Sequence, residues 1–158
     1  MAKAAVVPGI GQKLSEFEVA MNRAAEAAAA LATTIFATAI GNMTFTDAKA
    51  ILNGESNAAT QYFVGTTREN LFRLFLPVVE SRLGALGVGA MLSTILDMYA
   101  SIPYIAKPTA FNLEDYVTGL ALDGLFLKFG EQEKKIRCDV GAQTSALLKK
   151  VFGALTPM

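Results

Sequence analysis

Apolar residues recur along this chain with helical spacing. In the first long stretch they lie three or four positions apart, at Leu14, Phe17, Met21, Ala24, Ala28, Leu31 and Ile35. This spacing places them on one face of an α-helix. Ser15 and Glu18 form an S-x-x-E capping box. We therefore predict a long helix over about residues 15–40, preceded by a flexible segment, residues 1–12, that contains glycine and proline.

The same stretch carries no charge from Ala27 to Thr46 and is therefore long enough for a membrane span. However, its large apolar residues are few, and threonine, glycine and asparagine interrupt it. Because the apolar stripe covers only one side, we predict a helix packed in a protein core and no transmembrane segment.

Two shorter helices are predicted next. Thr44 or Thr46 is a suitable N-cap for the first of them, and Asn53 followed by Gly54 is typical of its end. A second short helix is expected after Asn57.

The following helix is expected to begin after Thr66 or Thr67. Pro77 lies inside its apolar pattern and lacks a backbone donor, so we predict a kink or a break near Leu74. The glycine-rich stretch 84–92 predicts a turn before the next helix.

The C-terminal part predicts a second long helix, over about residues 113–137, which Asn112 and Asp115 cap. Its LFLKF segment is apolar on nearly every side, so this helix is expected to be central or to meet a partner. A final short helix is expected over about residues 144–152. No stretch alternates in the manner of a strand. We predict an all-α fold, a single-domain bundle of about six to seven helices over residues 1–158.

The composition is rich in apolar residues and poor in charged ones, which indicates a large buried fraction or an apolar surface that contacts a partner. Hydrophobic residues make up 53% of the chain and charged residues 18%, against about 25% charged in typical proteins. Lysine plus arginine equals aspartate plus glutamate, 14 each, so no net field attracts nucleic acid. Lys134, Lys135 and Arg137 follow directly on Glu131 and Glu133, and we interpret this run as a solvated helix surface.

The residue inventory excludes several kinds of site. The chain has no histidine and one cysteine, Cys138, which rules out an intrachain disulfide, zinc sites, haem held by histidine and Ser-His or Cys-His catalysis. We predict no metal, no cofactor and no catalytic residue. A hydrolase that uses Glu26 and Asp123 as acid and base is a weaker alternative, because nothing supplies a nucleophile or oxyanion donors.

The polar residues on the two long helices have two interpretations. Asp123 lies inside the apolar segment LALDGLF, where an unpaired buried carboxylate costs several kcal/mol, so a structural ion pair between Arg23 and Asp123 is expected. Alternatively, such groups line a cleft that holds a ligand. The candidate ligand-binding residues are Asn22, Arg23, Glu26, Phe72, Phe75, Tyr116, Asp123 and Phe126.

We therefore expect a non-catalytic domain that self-associates, as a homo-oligomer, or binds a protein partner through apolar surface. The alternative is a carrier that encloses a hydrophobic, lipid-like small molecule between residues 72–79 and the long C-terminal helix.

Five ordered blocks carry a resemblance to a known family: FEVAMNRAAEAA, MTFTDAKAILNGESNAATQYF, LEDYVTGLALDGLF, EQEKKIR and LLKKVFG. Over residues 16–153 the chain resembles the bacterial domain-of-unknown-function family 4197. The resemblance implies an all-helical domain with no assigned reaction, often made with an export signal or lipoprotein leader. No cleavable signal is visible in this chain, so we expect a periplasmic location if a leader has been removed and a cytoplasmic one otherwise. Leu120 stands where the family usually has lysine.

Overall fold

The structure is a computed structural model of the 158-residue chain, and it describes residues 10–100 and 112–152. These residues form seven α-helices and a short 3-10 helix, with no strand among them, which confirms the all-α prediction. The helices are α1 (Ile10–Ala29), α2 (Ala32–Gly41), α3 (Phe45–Asn53), α4 (Ala58–Ala85), α5 (Val88–Ala100), α6 (Leu113–Cys138), the 3-10 helix (Val140–Ala142) and α7 (Ala146–Phe152).

The chain divides into two compact units. The first unit contains the described residues of 1–32 and 72–121, and the second contains those of 33–71 and 122–158. Helices α4 and α6 each contribute residues to both units. The expectation of a single domain stays a prediction.

In the first unit, α1 contacts α5. The buried residues of this stretch are alanines at every fourth position: Ala20, Ala24, Ala28 and Ala32. Four-residue spacing keeps Ala20, Ala24 and Ala28 on one face of α1, Ala32 is the first residue of α2, and alanine allows a neighbouring backbone to approach closely. Leu31, which we placed in the buried stripe, is 38% exposed. The predicted stripe is therefore correct in its alanines and wrong at Leu31.

The predicted helix 15–40 is interrupted. Helix α1 already begins at Ile10, so residues 10–12 are helical and Ser15 is not its N-cap; residues 1–9 lie outside the described residues. A turn at Ala30 and Leu31, closed by a hydrogen bond of 3.0 Å from Leu31 N to Ala28 O, separates α1 from α2. The apolar pattern continues across this turn, and for that reason the sequence alone does not reveal it.

Among the described residues, the stretch Gly11–Gly41 is long and apolar enough to cross a membrane, with a mean hydropathy of 1.4 in its most apolar window. Only 17% of that window is buried. Core helices and signal sequences near an N-terminus meet the same criterion. The absence of a transmembrane segment therefore stays a prediction.

Helix α4 begins directly after Asn57, as predicted, but it continues for 28 residues. Thr66 and Thr67 lie inside it and donate to the carbonyls of Tyr62 and Phe63 at 2.8 and 2.6 Å, so the predicted cap at these threonines is wrong. The helix also continues through Pro77, so the predicted break near Leu74 is wrong, and the kink stays a prediction.

Apolar burial on both sides of Pro77 explains this continuity. Phe75 and Val79 are fully buried in the first unit, and burying such side chains stabilises the helix by about 1.5–3 kcal/mol each. This offsets the roughly 3 kcal/mol that an internal proline costs.

Several other helix ends lie where the sequence predicts them. The Thr44 side chain accepts from Asp47 N in a capping box, and α3 ends at Asn53. At Gly54 a Cβ atom would lie 2.8 Å from Ala50 O, which explains the glycine there. Asn112 accepts from Asp115 N at 3.0 Å and caps α6. Gly87, at a φ of 67°, makes the predicted turn between α4 and α5.

Candidate functional site

The most elaborate polar arrangement in the second unit centres on Glu133 of α6, which is 8% exposed. Its Oε1 accepts from Ala59 N at 2.9 Å. Its Oε2 accepts from the backbone N and the hydroxyl of Thr60, at 2.8 and 2.6 Å. Ala59 and Thr60 are the second and third residues of α4, whose N–H groups have no partner within the helix. Glu133 therefore caps α4 from a different helix.

Arg137, one turn further along α6, binds the end of α3. Its Nη2 donates to Ile51 O at 2.7 Å, and its Nη1 donates to Leu52 O at 3.4 Å. Its Nε donates to Glu133 Oε1 at 2.9 Å. The carbonyl end of a helix carries partial negative charge and the amide end partial positive charge. The Glu133–Arg137 pair thus matches each helix end with its opposite charge, and we call it the helix-end clamp.

The charged state of Glu133 is maintained by these bonds. Burial acts to raise the pKa of Glu133, but the hydrogen bonds from Thr60, from the Ala59 backbone and from Arg137 together hold the pKa below its ordinary value of 4.5.

Four donors occupy the carboxylate of Glu133, and a carboxylate offers about four lone-pair sites. Glu133 therefore has no lone pair left for a substrate proton or a metal ion, and its role is to fix the ends of α3 and α4.

Sequence reasoning missed this clamp, and the interpretation of Arg137 as part of a solvated surface is wrong: its side chain is almost buried. The available signal was the four-residue spacing of Glu133 and Arg137, which places both on one helix face. Their partners, however, lie 73 to 86 residues away in the chain.

An apolar pocket of about 240 Å³ adjoins the clamp, between the start of α4, the second half of α6 and α7. Its lining residues are Ala59, Phe129, Gln132, Glu133, Ile136, Arg137, Leu148 and Phe152. The polar atoms of Glu133 and Arg137 are hydrogen-bonded to each other and to the helix ends. Their carbon stems therefore line the pocket. The guanidinium of Arg137 also lies 5.3 Å from the centre of the Phe152 ring. We call this cavity the apolar pocket.

Four phenylalanines form an aromatic cluster in the second unit. The ring of Phe36 lies 5.5, 6.1 and 5.4 Å from the rings of Phe63, Phe126 and Phe129 respectively, and Phe63 lies 5.3 Å from Phe129. Phe126, a predicted ligand contact, is buried within this cluster. In this structure it is a core residue.

Asp123 has another partner than we expected. Its Oδ1 accepts from Arg68 Nη2 at 2.7 Å, and the Asp123 side chain is 61% exposed. The expectation of an Arg23–Asp123 pair was based on burial of this carboxylate. Because Asp123 is exposed, that reason does not hold, and Arg68 replaces Arg23 as its partner.

The remaining candidates belong to the first unit. Asn22, Arg23 and Glu26 are exposed on α1, and Arg23 lines an open groove of about 310 Å³ beside the α4–α5 turn. Phe75 is fully buried. The remaining two candidates, Phe72 and Tyr116, are half-buried and exposed, respectively. A ligand-binding role for these residues stays a prediction.

The described residues contain no group of three or more histidine, cysteine, aspartate or glutamate side chains placed to hold a metal ion. Exposed carboxylates such as Asp123 stand in ion pairs at the surface. The local chemistry in the described part of the chain is that of helix capping and apolar contact.

Comparison with known proteins gives one match. No curated protein and no solved structure is significantly similar to this chain. The sequence profile of a family described as protein of unknown function, DUF4197, matches residues 1–153, in agreement with the resemblance seen in the sequence blocks. The chain therefore belongs to the DUF4197 family of proteins of unknown function.

Proposed function

We propose that this protein is a non-catalytic binding domain that pairs with a second copy of itself, with Phe45 of each copy inserted into the apolar pocket of the other. One observation carries the proposal: the second unit combines a nearly bare aromatic side chain with an apolar pocket that suits one such side chain.

Phe45 is 86% exposed at the start of α3. Leaving such a side chain in water forgoes about 1.5–3 kcal/mol of burial. The Thr44 capping box fixes one end of α3, and Arg137 binds the carbonyls of the other. Phe45 is thus presented from an ordered helix, so little conformational entropy is lost when it binds.

The apolar pocket is ordered by the same clamp, because Glu133 and Arg137 form part of its wall. Its size favours a single side chain over a whole lipid. The volume of about 240 Å³ is below the roughly 300 Å³ at the lower end of small-molecule sites. Phe45 does not line the pocket of its own copy, so an exchange between two copies gives two equal contacts, as in a twofold dimer.

The carrier reading receives less support. Phe75 and Val79, in the segment predicted to enclose a lipid, are fully buried in the first unit. Native mass spectrometry of the purified protein tests the carrier hypothesis directly. A carrier is expected to retain a bound apolar molecule, which raises the measured mass above that of the chain alone.

Sedimentation velocity at micromolar concentration tests self-association. We expect the wild type to form a dimer, and Phe45→Ser and Leu148→Gln each to weaken it by about 30-fold or more, as for the loss of an interface hot spot. Leu147→Gln is the matched control, because Leu147 neighbours Leu148 on α7, is 70% exposed and does not line the pocket. It is expected to leave the dimer intact.

Mixing the two variants makes the test specific. A mixed pair joins the intact Phe45 of the Leu148→Gln copy to the intact pocket of the Phe45→Ser copy. Association is therefore expected to be stronger in the mixture than in either variant alone. A monomeric wild type, or a mixture that associates no better than its components, contradicts the proposal.

A further inference from the structure

A second cavity of the second unit has the opposite chemistry. It lies between α2 and α4, has a volume of about 330 Å³, and is lined by Ile35, Thr38, Ala39, Asn42, Tyr62, Thr66, Thr67 and Asn70. None of these side chains is charged at neutral pH, and most carry a hydroxyl or a carboxamide. We call this cavity the neutral groove.

Helical spacing brings its polar groups together. Tyr62, Thr66 and Asn70 are four residues apart on α4 and so follow one line along that helix. Thr38 lies near the end of α2, and Asn42, four residues later, directly follows that helix. All five line the same groove.

The threonine hydroxyls of the groove act as acceptors for a ligand. Thr38 Oγ1 donates to Thr34 O at 3.0 Å, and Thr66 Oγ1 donates to Tyr62 O at 2.8 Å. Each hydroxyl has only one proton to donate, so these oxygens can only accept from a ligand.

The donors of the groove are unused. The carboxamides of Asn42 and Asn70 and the hydroxyl of Tyr62 have no hydrogen-bond partner among the described residues. Each carboxamide can donate and accept at once. The groove therefore offers acceptors and donors within a single cavity, which Tyr62 also lines.

We propose that the neutral groove binds an uncharged saccharide. A sugar presents hydroxyls that donate to the threonine oxygens and accept from the asparagine amides, while its carbon-bound hydrogens contact the Tyr62 ring. A charged ligand finds no opposite charge in the lining and loses hydration on entry. An alkyl chain leaves the amides unpaired. This inference does not depend on the proposed self-association.

Saturation-transfer difference NMR with N-acetylglucosamine at millimolar concentration tests the proposal. Glucosamine, which carries a positive charge, and glucuronate, which carries a negative one, serve as charged counterparts of similar shape. We expect saturable transfer to N-acetylglucosamine and weaker transfer to both charged sugars.

Variants locate the site. Asn42→Ala and Asn70→Ala are each expected to weaken binding about two- to tenfold, the effect of one lost hydrogen bond. Both residues are exposed, so the fold is expected to be retained, which circular dichroism checks. Gln61→Ala is the matched control: Gln61 is an exposed carboxamide next to Tyr62 on α4 and does not line the groove.

The outcomes are distinct. Binding that falls in the two asparagine variants and not in Gln61→Ala supports the proposal. No saturable binding of N-acetylglucosamine, a preference for either charged sugar, or equal loss in the control overturns it.

Discussion

The two units of this chain are stabilised by different chemistry. In the first, the α1–α5 contact is accompanied by a stripe of buried alanines. In the second, a buried ion pair binds two helix ends and four phenylalanine rings pack edge to face or tilted.

This difference has a consequence for specificity. Apolar packing is non-directional, so the first unit depends on the shape and size of its side chains. The bonds of the helix-end clamp have fixed partners and directions, so they select which helix ends meet. Both Phe45 and the apolar pocket depend on helices that the clamp holds, which places the proposed pairing surface in the second unit.

The largest expected effect is that of Glu133→Ala. It leaves Arg137 without its carboxylate and the N–H groups of Ala59 and Thr60 without an acceptor, so we expect a loss of about 3–5 kcal/mol in the free energy of unfolding. Urea denaturation measures this loss. Hydrogen exchange is expected to rise at the start of α4 and not in α1.

The control for this prediction is Glu131→Ala on the same helix, because Glu131 is exposed and its hydrogen bond among the described residues goes to Lys128, close by on the same helix. A small change is expected there. Equal destabilisation by the two substitutions, or exchange that rises equally in both units, would contradict the contrast between them.

The second largest expected effect is the part of the Glu133 contribution to the free energy of unfolding that depends on its negative charge. The pKa of Glu133 in the folded protein is lowered from 4.5, so its contribution to stability is fully present above that value and is lost as the pH falls through the folded pKa. The difference in unfolding free energy between wild type and Glu133→Gln is therefore expected to shrink below about pH 4.5.

Urea titrations of both proteins at a series of pH values measure this difference. The other carboxylates with lowered pKa values, Glu16, Asp47 and Glu131, are common to both proteins and cancel. A difference that stays constant into the acid range would mean that the charge of Glu133 contributes nothing to the clamp.

The smallest effect concerns the first unit. Ala24 is fully buried in the alanine stripe, so Ala24→Leu forces extra volume against a close neighbour and is expected to cost about 1–3 kcal/mol. Thermal unfolding measures it, with Ala30→Leu, at an exposed position, as the control. Hydrogen exchange that rises in the second unit and not in α1 would show that the stripe is not what stabilises the first unit.

Most signals that act over a few residues were predicted correctly, although the Ser15–Glu18 capping box was not, because α1 already begins at Ile10. Thr44 and Asp47 form their capping box across one turn, Asn112 reaches Asp115, and α3 ends at Asn53. In each case the cap forms between residues three apart, so the sequence pattern and the structure describe the same bond. The all-α class follows from the helical spacing of the apolar residues.

Features that depend on contacts between distant residues were not predicted correctly. Pro77 and Thr66 resemble a helix break and a helix cap, yet α4 passes through both. Asp123 lies in an apolar segment but faces solvent beside Arg68, because burial of a residue is decided by the neighbouring helices and not by its neighbours in the chain.

The amino-acid order alone determined the all-α class, the family, and the absence of histidine chemistry. Only the tertiary structure decided which helix ends meet and that Glu133 and Arg137 join them. The reason is physical: a capping bond within a helix is closed by residues three or four positions apart, whereas the clamp bonds close loops of 73 to 86 residues. No local pattern records such loops.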